Sequence, residues 1–175
     1  RPRSYRLLDP QCFIFLASGD IQNLEEIVQE RYVELLCEAF RSVSKSFDLT
    51  SFAVYGTVAR GKAKRDSDVD ILVVSSDFEG SLGSRIERLC SIEQTLREEL
   101  AWLRKHDINT SLSFYPLRPE EAAKTPLLFL DLTEDAVIFH DKGKLLETIL
   151  IDLRARLLKR GAKRIFLDEE RWYWD

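Results

Sequence analysis

Between residues 56 and 70 the chain gathers groups suited to holding a polyphosphate and a cation. Gly56 and Thr57 close a short apolar run. A glycine lets backbone approach a ligand closely, Thr57 adds a hydroxyl, and the free N–H groups of a helical turn starting here would attract an anion. Arg60, Lys62, Lys64 and Arg65 follow as a local positive patch. Asp68 and Asp70 come next, where a second apolar run begins. Residues i and i+2 of a strand share one face, so these carboxylates can converge on one divalent cation. Hard oxygen ligands suit Mg²⁺ or Mn²⁺, and Mg²⁺ takes one or two carboxylates, with phosphates and waters completing its shell. A phosphate cradle beside such a site is what metal-assisted phosphoryl or nucleotidyl transfer needs. Singly these features are commonplace, since acidic pairs, Gly-Thr turns and basic loops abound on protein surfaces. Their order and spacing within one strand–turn–strand unit carries the specificity.

The elements that must position these groups follow from periodicity. Residues 51–55 and 69–74 are short and apolar and read as buried strands. Residues 21–46 repeat Leu24, Ile27, Val28, Leu35, Leu36, Ala39 and Phe40 at helical spacing, which predicts a long amphipathic helix, broken once at most. A second helix is expected from about 81 to 105, with Ile86, Leu89, Ile92, Leu96, Leu100 and Leu103 as its stripe. Residues 108–115 alternate apolar and polar, the period of a half-exposed strand. Pro116, Pro119 and Pro126 punctuate a loop and short helix, 136–139 reads as a fourth strand, and 145–160 as a helix stopped by Gly161. Residues 163–167 predict a last short strand. The class is therefore α/β (α+β), a small mixed sheet flanked by helices. The expected organisation is an irregular segment at 1–20, a core at 21–116, and a C-terminal α/β extension at 117–175 packed on that core.

Composition narrows the function. Hydrophobic residues make up 45% and charged residues 32%, which argues against both disorder and a membrane protein. No apolar run is long enough to span a bilayer, and no secretory signal opens the chain. With 26 basic and 30 acidic residues the net charge is −4, so a polyanion site has to be local. Cys12, Cys37 and Cys90 form no CxxC or Cys/His cluster, which excludes a structural zinc. An odd cysteine count without a signal fits a reducing, cytoplasmic setting. Asn, Gln, Cys and Met are scarce, the bias of heat-adapted proteins. Methionine is absent even at position 1, so both natural termini are expected to lie outside this sequence.

Gly56-Thr57, then Ala59-Arg60-Gly61, then Ser67-Asp68-Val69-Asp70 before an apolar run resembles the DNA polymerase β-like nucleotidyltransferase superfamily. The style is that of small prokaryotic, often archaeal, minimal nucleotidyltransferase domain proteins. The resemblance is strong over about 20 residues and loose over 21–116. The family's usual Gly-Ser is Gly56-Thr57 here, which keeps the hydroxyl. The resemblance implies that Gly56 and Thr57 bind the β/γ-phosphates of an NTP, that Asp68 and Asp70 hold Mg²⁺, and that Arg60 and Ser67 position phosphates or order the loop. An acceptor hydroxyl would attack the α-phosphorus and pyrophosphate would leave. The acceptor, whether protein, small molecule or RNA, is not legible. A protein partner or homo-oligomer is a further expectation, and no membrane is involved.

The departure is at the third carboxylate, which active members carry on a later strand. The natural strand, 108–115, presents Asn109, Ser111, Ser113 and Tyr115 on one face and contains no acid. Asp107, Glu120, Glu121 and Asp131 are the nearest alternatives. A substitute acid, a one-metal mechanism, and a nucleotide- or partner-binding module without efficient catalysis all stay open, as does an antitoxin-like enzyme that modifies a protein hydroxyl. The basic cluster Arg154, Arg156, Lys159, Arg160, Lys163 and Arg164 reads first as a solvated complement to a helix C-terminus, with a nucleic-acid or acceptor-docking patch as the alternative. Trp172, Tyr173 and Trp174 read as packing or an interface anchor rather than base stacking.

Overall fold

A computed structural model of the chain describes residues 7–168 and 171–175. Residues 1–6 of the segment expected to be irregular lie outside the described residues. The rest of that segment contains a helix, α1 (Pro10–Ser18), with the Asp9 side chain accepting from the Gln11 amide and Gly19 closing the far end at φ 76°. Pro10 reads as a breaker in sequence, yet proline at the first helical position loses no hydrogen bond. The long helix expected at 21–46 is shorter, α2 (Val33–Ser46), because single 3₁₀ turns at Leu24–Glu26 and Glu30–Tyr32 precede it.

The chain then forms β1 (Leu49–Tyr55), a single helical turn α3 (Gly56–Ala59), and β2 (Val69–Ser75). Two helices, α4 (Leu82–Ile92) and α5 (Arg97–Lys105), replace the one helix expected at 81–105. The strand β3 (Leu112–Leu117) starts later than its alternation suggests, since residues 106–107 complete a turn with Asp107 at φ 62°. Then come α6 (Pro119–Ala122), α7 (Leu128–Asp135), β4 (Val137–Asp141), α8 (Leu145–Arg160), β5 (Arg164–Phe166) and β6 (Trp172–Trp174).

Four strands make one mixed sheet in the order β3-β2-β1-β4. β2 and β3 run parallel, and β1 is antiparallel to both β2 and β4. β4 comes from the segment beyond residue 116, so the expected extension supplies a strand to the sheet of the expected core. β5 and β6 form a separate hairpin.

The central strands are buried on both faces, and period 2 decides which face each residue serves. Phe52, Val54, Val69, Ile71 and Val73 point to a core built with α2, α4 and α5. Ala53, Leu72 and Val74 point the other way, to Phe129, Leu132, Leu146, Leu150 and Leu153 of α7 and α8. Asp70 shares the second face with Leu72 and Val74, and Asp68 continues the alternation just ahead of β2. The carboxylate face is thus the one that the C-terminal helices cover.

The sequence shows three separate cysteines suited to a reducing setting. In the fold, Cys12 and Cys37 form a disulfide tying α1 to α2, while Cys90 is free and exposed. Their separation of 25 residues conceals the pairing, which depends on α1 folding back over α2. Among the described residues no helix is long and apolar enough to cross a membrane.

Candidate active site

The site lies where β1 hands over to α3. Gly56 has φ +73°, a left-handed conformation that L side chains rarely adopt. A Cβ built there would sit 2.3 Å from Asp70 Oδ2, so backbone and carboxylate are closer than any other residue type allows. Buried Val58 anchors the turn from below, and the Arg60 amide bonds back to the Gly56 carbonyl at 3.1 Å. Thr57 is half-buried beside Gly56, and its carbonyl accepts from the Lys62 amide at 2.8 Å.

The basic loop beyond this turn is pinned from several directions. The Gln29 side chain both donates to the Ala63 carbonyl and accepts from the Ala63 amide, each at 3.0 Å. Arg31 adds a bond to the same carbonyl at 2.7 Å. Ser67 Oγ accepts from the Lys64 amide at 2.8 Å, and the Ser67 carbonyl accepts from the Thr110 hydroxyl at 2.8 Å. Ser67 therefore has its hydroxyl turned into its own loop. Lys62, Lys64 and Arg65 stay at the rim.

Asp70 is half-buried, with Tyr55 opposite it on β1 and Ser113 opposite it on β3. Burial, with the charge of Asp68, pushes its carboxyl above the ordinary aspartate value, although a Ser113 hydrogen bond and the Arg60 charge pull the other way. Tyr55 is pushed up as well, by burial first and then by Asp70 and Tyr115. Asp68 is exposed and accepts from Ser111 Oγ at 2.7 Å. Gly56 thus lies directly against Asp70, and the Asp68 charge acts on the same carboxyl.

No third acid joins them among the described residues. Ser113 on β3 lies beside Asp70, and Ser111, just ahead of β3, bonds to Asp68. The acids weighed as substitutes are engaged elsewhere. Asp107 lies 3.7 Å from Arg65 in an exposed turn. Glu120 pairs with Arg118, and Glu121 with Arg85 and Arg118. The Arg85 hydrogen bond is the largest reason that the Glu121 carboxyl is pushed down to about 2. Asp131 accepts the indole N–H of both Trp172 and Trp174, at 2.7 and 3.0 Å. Among the described residues no group of three or more His, Cys, Asp or Glu could hold a metal. A hard cation still fits two carboxylates on one face, with phosphate and water oxygens filling the shell.

Arg60 does not project freely. Its Nη1 donates to Asp135 Oδ2 at 2.8 Å, and its guanidinium lies 4.6 Å from the Trp172 ring centroid. Asp135 also takes a two-point bond from Arg164, at 2.9 and 2.8 Å. Burial alone would raise the Asp135 carboxyl, but the two arginines more than offset this and hold it below its ordinary value. Sequence reasoning assigns nothing to Asp135, and it places Arg164 in a solvated basic cluster. The available signal is the spacing of Asp131 and Asp135, which puts both acids on one helix face.

One consequence concerns pH. A cation, were Asp70 to hold one, would have to displace a proton that Asp70 keeps to a higher pH than ordinary aspartates do. Mg·ATP affinity is therefore expected to fall on acidification, beginning above the ordinary aspartate range. In the cation-free protein the folded form binds that proton more tightly than the unfolded chain. Asp70 then lowers stability as pH rises from its ordinary value through its raised one. Calorimetric titrations across this interval check the first point, and flat affinity there would contradict the role given to Asp70.

No curated protein matches the chain. Among solved structures, a toxin-antitoxin crystallised with AMP-PNP is similar at 15% identity and TM-score 0.44, covering 71% of this chain and 90% of that one. A mutant of the toxin-antitoxin MntA-HpeT is similar at 11% identity and TM-score 0.43, covering 70% and 88%. The nucleotidyltransferase domain family matches residues 36–169, a span that takes in the Gly56 turn, both aspartates and the sheet that carries them, and the chain belongs to that family.

Proposed function

We propose that the chain transfers an NMP from an NTP to a hydroxyl acceptor. The observation that carries this reading is the approach of the Gly56 turn to Asp70, closer than a Cβ permits. Backbone N–H groups of that turn would then bind phosphate beside carboxylates that would hold a cation. Gly56 and Thr57 receive the β/γ-phosphates. Asp68 and Asp70 hold Mg²⁺ or Mn²⁺, which supplies charge neutralisation on the transferring phosphoryl group. Ser67 keeps the loop in shape, and Arg60 presents positive charge at the edge of the opening. The acceptor oxygen bonds to the α-phosphorus, the bridging α–β P–O bond breaks, pyrophosphate leaves, and the hydroxyl proton passes to solvent.

Replacing Asp68 and Asp70 together by alanine is expected to abolish metal-dependent NTP binding without unfolding the domain. Unchanged Mg·ATP affinity of the double variant in a calorimetric titration, with native circular dichroism, would sink the assignment.

One observation favours a second reading, a nucleotide-binding module without efficient turnover: serine, not a carboxylate, lies opposite Asp70. Pyrophosphate release separates the two, since NTP binding without any release selects the binding module. A protein, small molecule or RNA serves as acceptor, and a protein partner or second copy belongs to the same proposal. NTP use argues for a cytoplasmic setting. The Cys12–Cys37 bridge there has its precedent in intracellular proteins of hyperthermophiles.

A further inference from the structure

The C-terminal hairpin sits against the nucleotide loop through side chains that nothing in the motif requires. Arg60 closes the α3 turn, and among the described residues its guanidinium makes one hydrogen bond, from Nη1 to Asp135. An arginine has five N–H donors, so the others remain available. Its side chain is 19% exposed, enough for a ligand to reach. Asp135 does not need Arg60 for neutralisation, because Arg164 already binds both of its oxygens. Trp172 supports both guanidiniums, with ring-centroid distances of 4.6 Å to Arg60 and 4.0 Å to Arg164. Trp172 is itself fixed by its indole bond to Asp131, and Phe166 packs across the hairpin at 6.1 Å. Trp172 offers its ring to arginine, which leaves it poorly placed to stack on a base.

We infer that the β5–β6 hairpin is a working part of the nucleotide site, in which Trp172, Arg164 and Asp135 are positioning residues that orient Arg60 toward the polyphosphate of the bound NTP. This rests on the nucleotidyltransfer reading. A flexible arginine surrenders rotamer freedom on meeting phosphate. Here one contact to Asp135 and one aromatic face restrict the side chain beforehand, while donors are left for the ligand. The Arg60 charge already acts on Asp70 before any nucleotide arrives.

A double-mutant cycle on the full chain tests this, with Mg·ATP affinity read by calorimetry and kcat and KM read by pyrophosphate release. Arg60→Ala is expected to weaken Mg·ATP binding about 10- to 100-fold, the value of a charge-assisted hydrogen bond. Trp172→Ala is expected to weaken it by about 10-fold, through Arg60. The double variant is expected to bind no more weakly than Arg60→Ala alone, because Trp172 has nothing left to position. Trp172→Phe, which keeps an aromatic face, is expected to recover most of the affinity. If Trp172→Ala fails to fold by circular dichroism, Arg164→Gln takes its place in the cycle and leaves the indole anchors intact. Additive losses, unchanged affinity in the single hairpin variant, or tighter binding by it would each overturn the inference while leaving the nucleotidyltransfer reading in place. A wild-type chain that binds no Mg·ATP would overturn both.

Discussion

Gly56→Ala is expected to abolish measurable Mg·ATP binding while lowering stability only modestly. Two terms act at this position. Holding an alanine at φ +73° costs about 1–2 kcal/mol, the ordinary penalty for an L residue in the left-handed region. The second term is steric, because the new methyl would meet Asp70 Oδ2 at 2.3 Å. Asp70 is only half-buried, so its carboxylate can swing aside rather than force the sheet apart. Folding therefore survives, and the loss falls on the ligand, since the swing would remove an oxygen from the proposed cation site and the displaced turn would no longer offer its N–H groups. Each 1.4 kcal/mol of lost interaction is about tenfold in affinity, so losing both anchors is expected to exceed about 100-fold. Denaturant unfolding beside calorimetric titration separates the two quantities. A variant that binds Mg·ATP within about threefold of wild type would show that the close approach is incidental.

Ser113→Asp is the second substitution with a large expected effect, and its sign depends on the cation. The parallel register puts residue 113 beside Asp70 on the neighbouring strand. Two carboxylates one strand spacing apart, roughly 5 Å, repel by about 3 kcal/mol at an effective dielectric near 20. Without a divalent ion the variant is expected to be less stable than wild type, with Asp70 protonated to a still higher pH. With Mn²⁺ or Mg²⁺ the same charge becomes a third ligand, so the metal-dependent rise in melting temperature is expected to exceed that of wild type. Pyrophosphate release is expected to increase if the missing ligand is what limits turnover. Ser113→Ala, which removes only a hydroxyl, serves as the neutral comparison. An identical metal response in the Asp variant and wild type would mean that residue 113 does not face the cation.

The parts of the fold that are readable in sequence are those whose causes are local. The strands β1 and β2, the helix α8 with its Gly161 stop, and the order of Gly56, Thr57, Asp68 and Asp70 all arise from periodicity or from spacing within a short segment. The sheet contains both strands, and the family match spans them. The features that stay hidden depend on distant partners. β4 pairs with β1 across some 85 positions, and its apolar run alone names no neighbour. Asp135 carries no signal of its own until Arg60 and Arg164 arrive from distant segments. Pro10 reads as punctuation, although Asp9 before it makes it a helix start. The helical spacing at 21–46 corresponds to a helix in its second half only. In the first half Gln29 and Tyr32 turn their polar groups onto the basic loop, a use that periodicity does not express.

The covering of the carboxylate face has a consequence for how the protein comes into being. Asp70, with Leu72 and Val74 after it, leaves the ribosome well ahead of the elements that cover the apolar part of this face, since α7, α8 and the hairpin that contacts Arg60 lie between 128 and 174. At roughly 5–20 residues per second, the interval between synthesis of Asp70 and of Trp174 is on the order of several to twenty seconds. Throughout it the two central strands exist with one face open and Arg60 without its partners. A nascent chain in that interval exposes Leu72 and Val74 to whatever is near, so the step that brings Arg60 its partners is also the step that covers this apolar face.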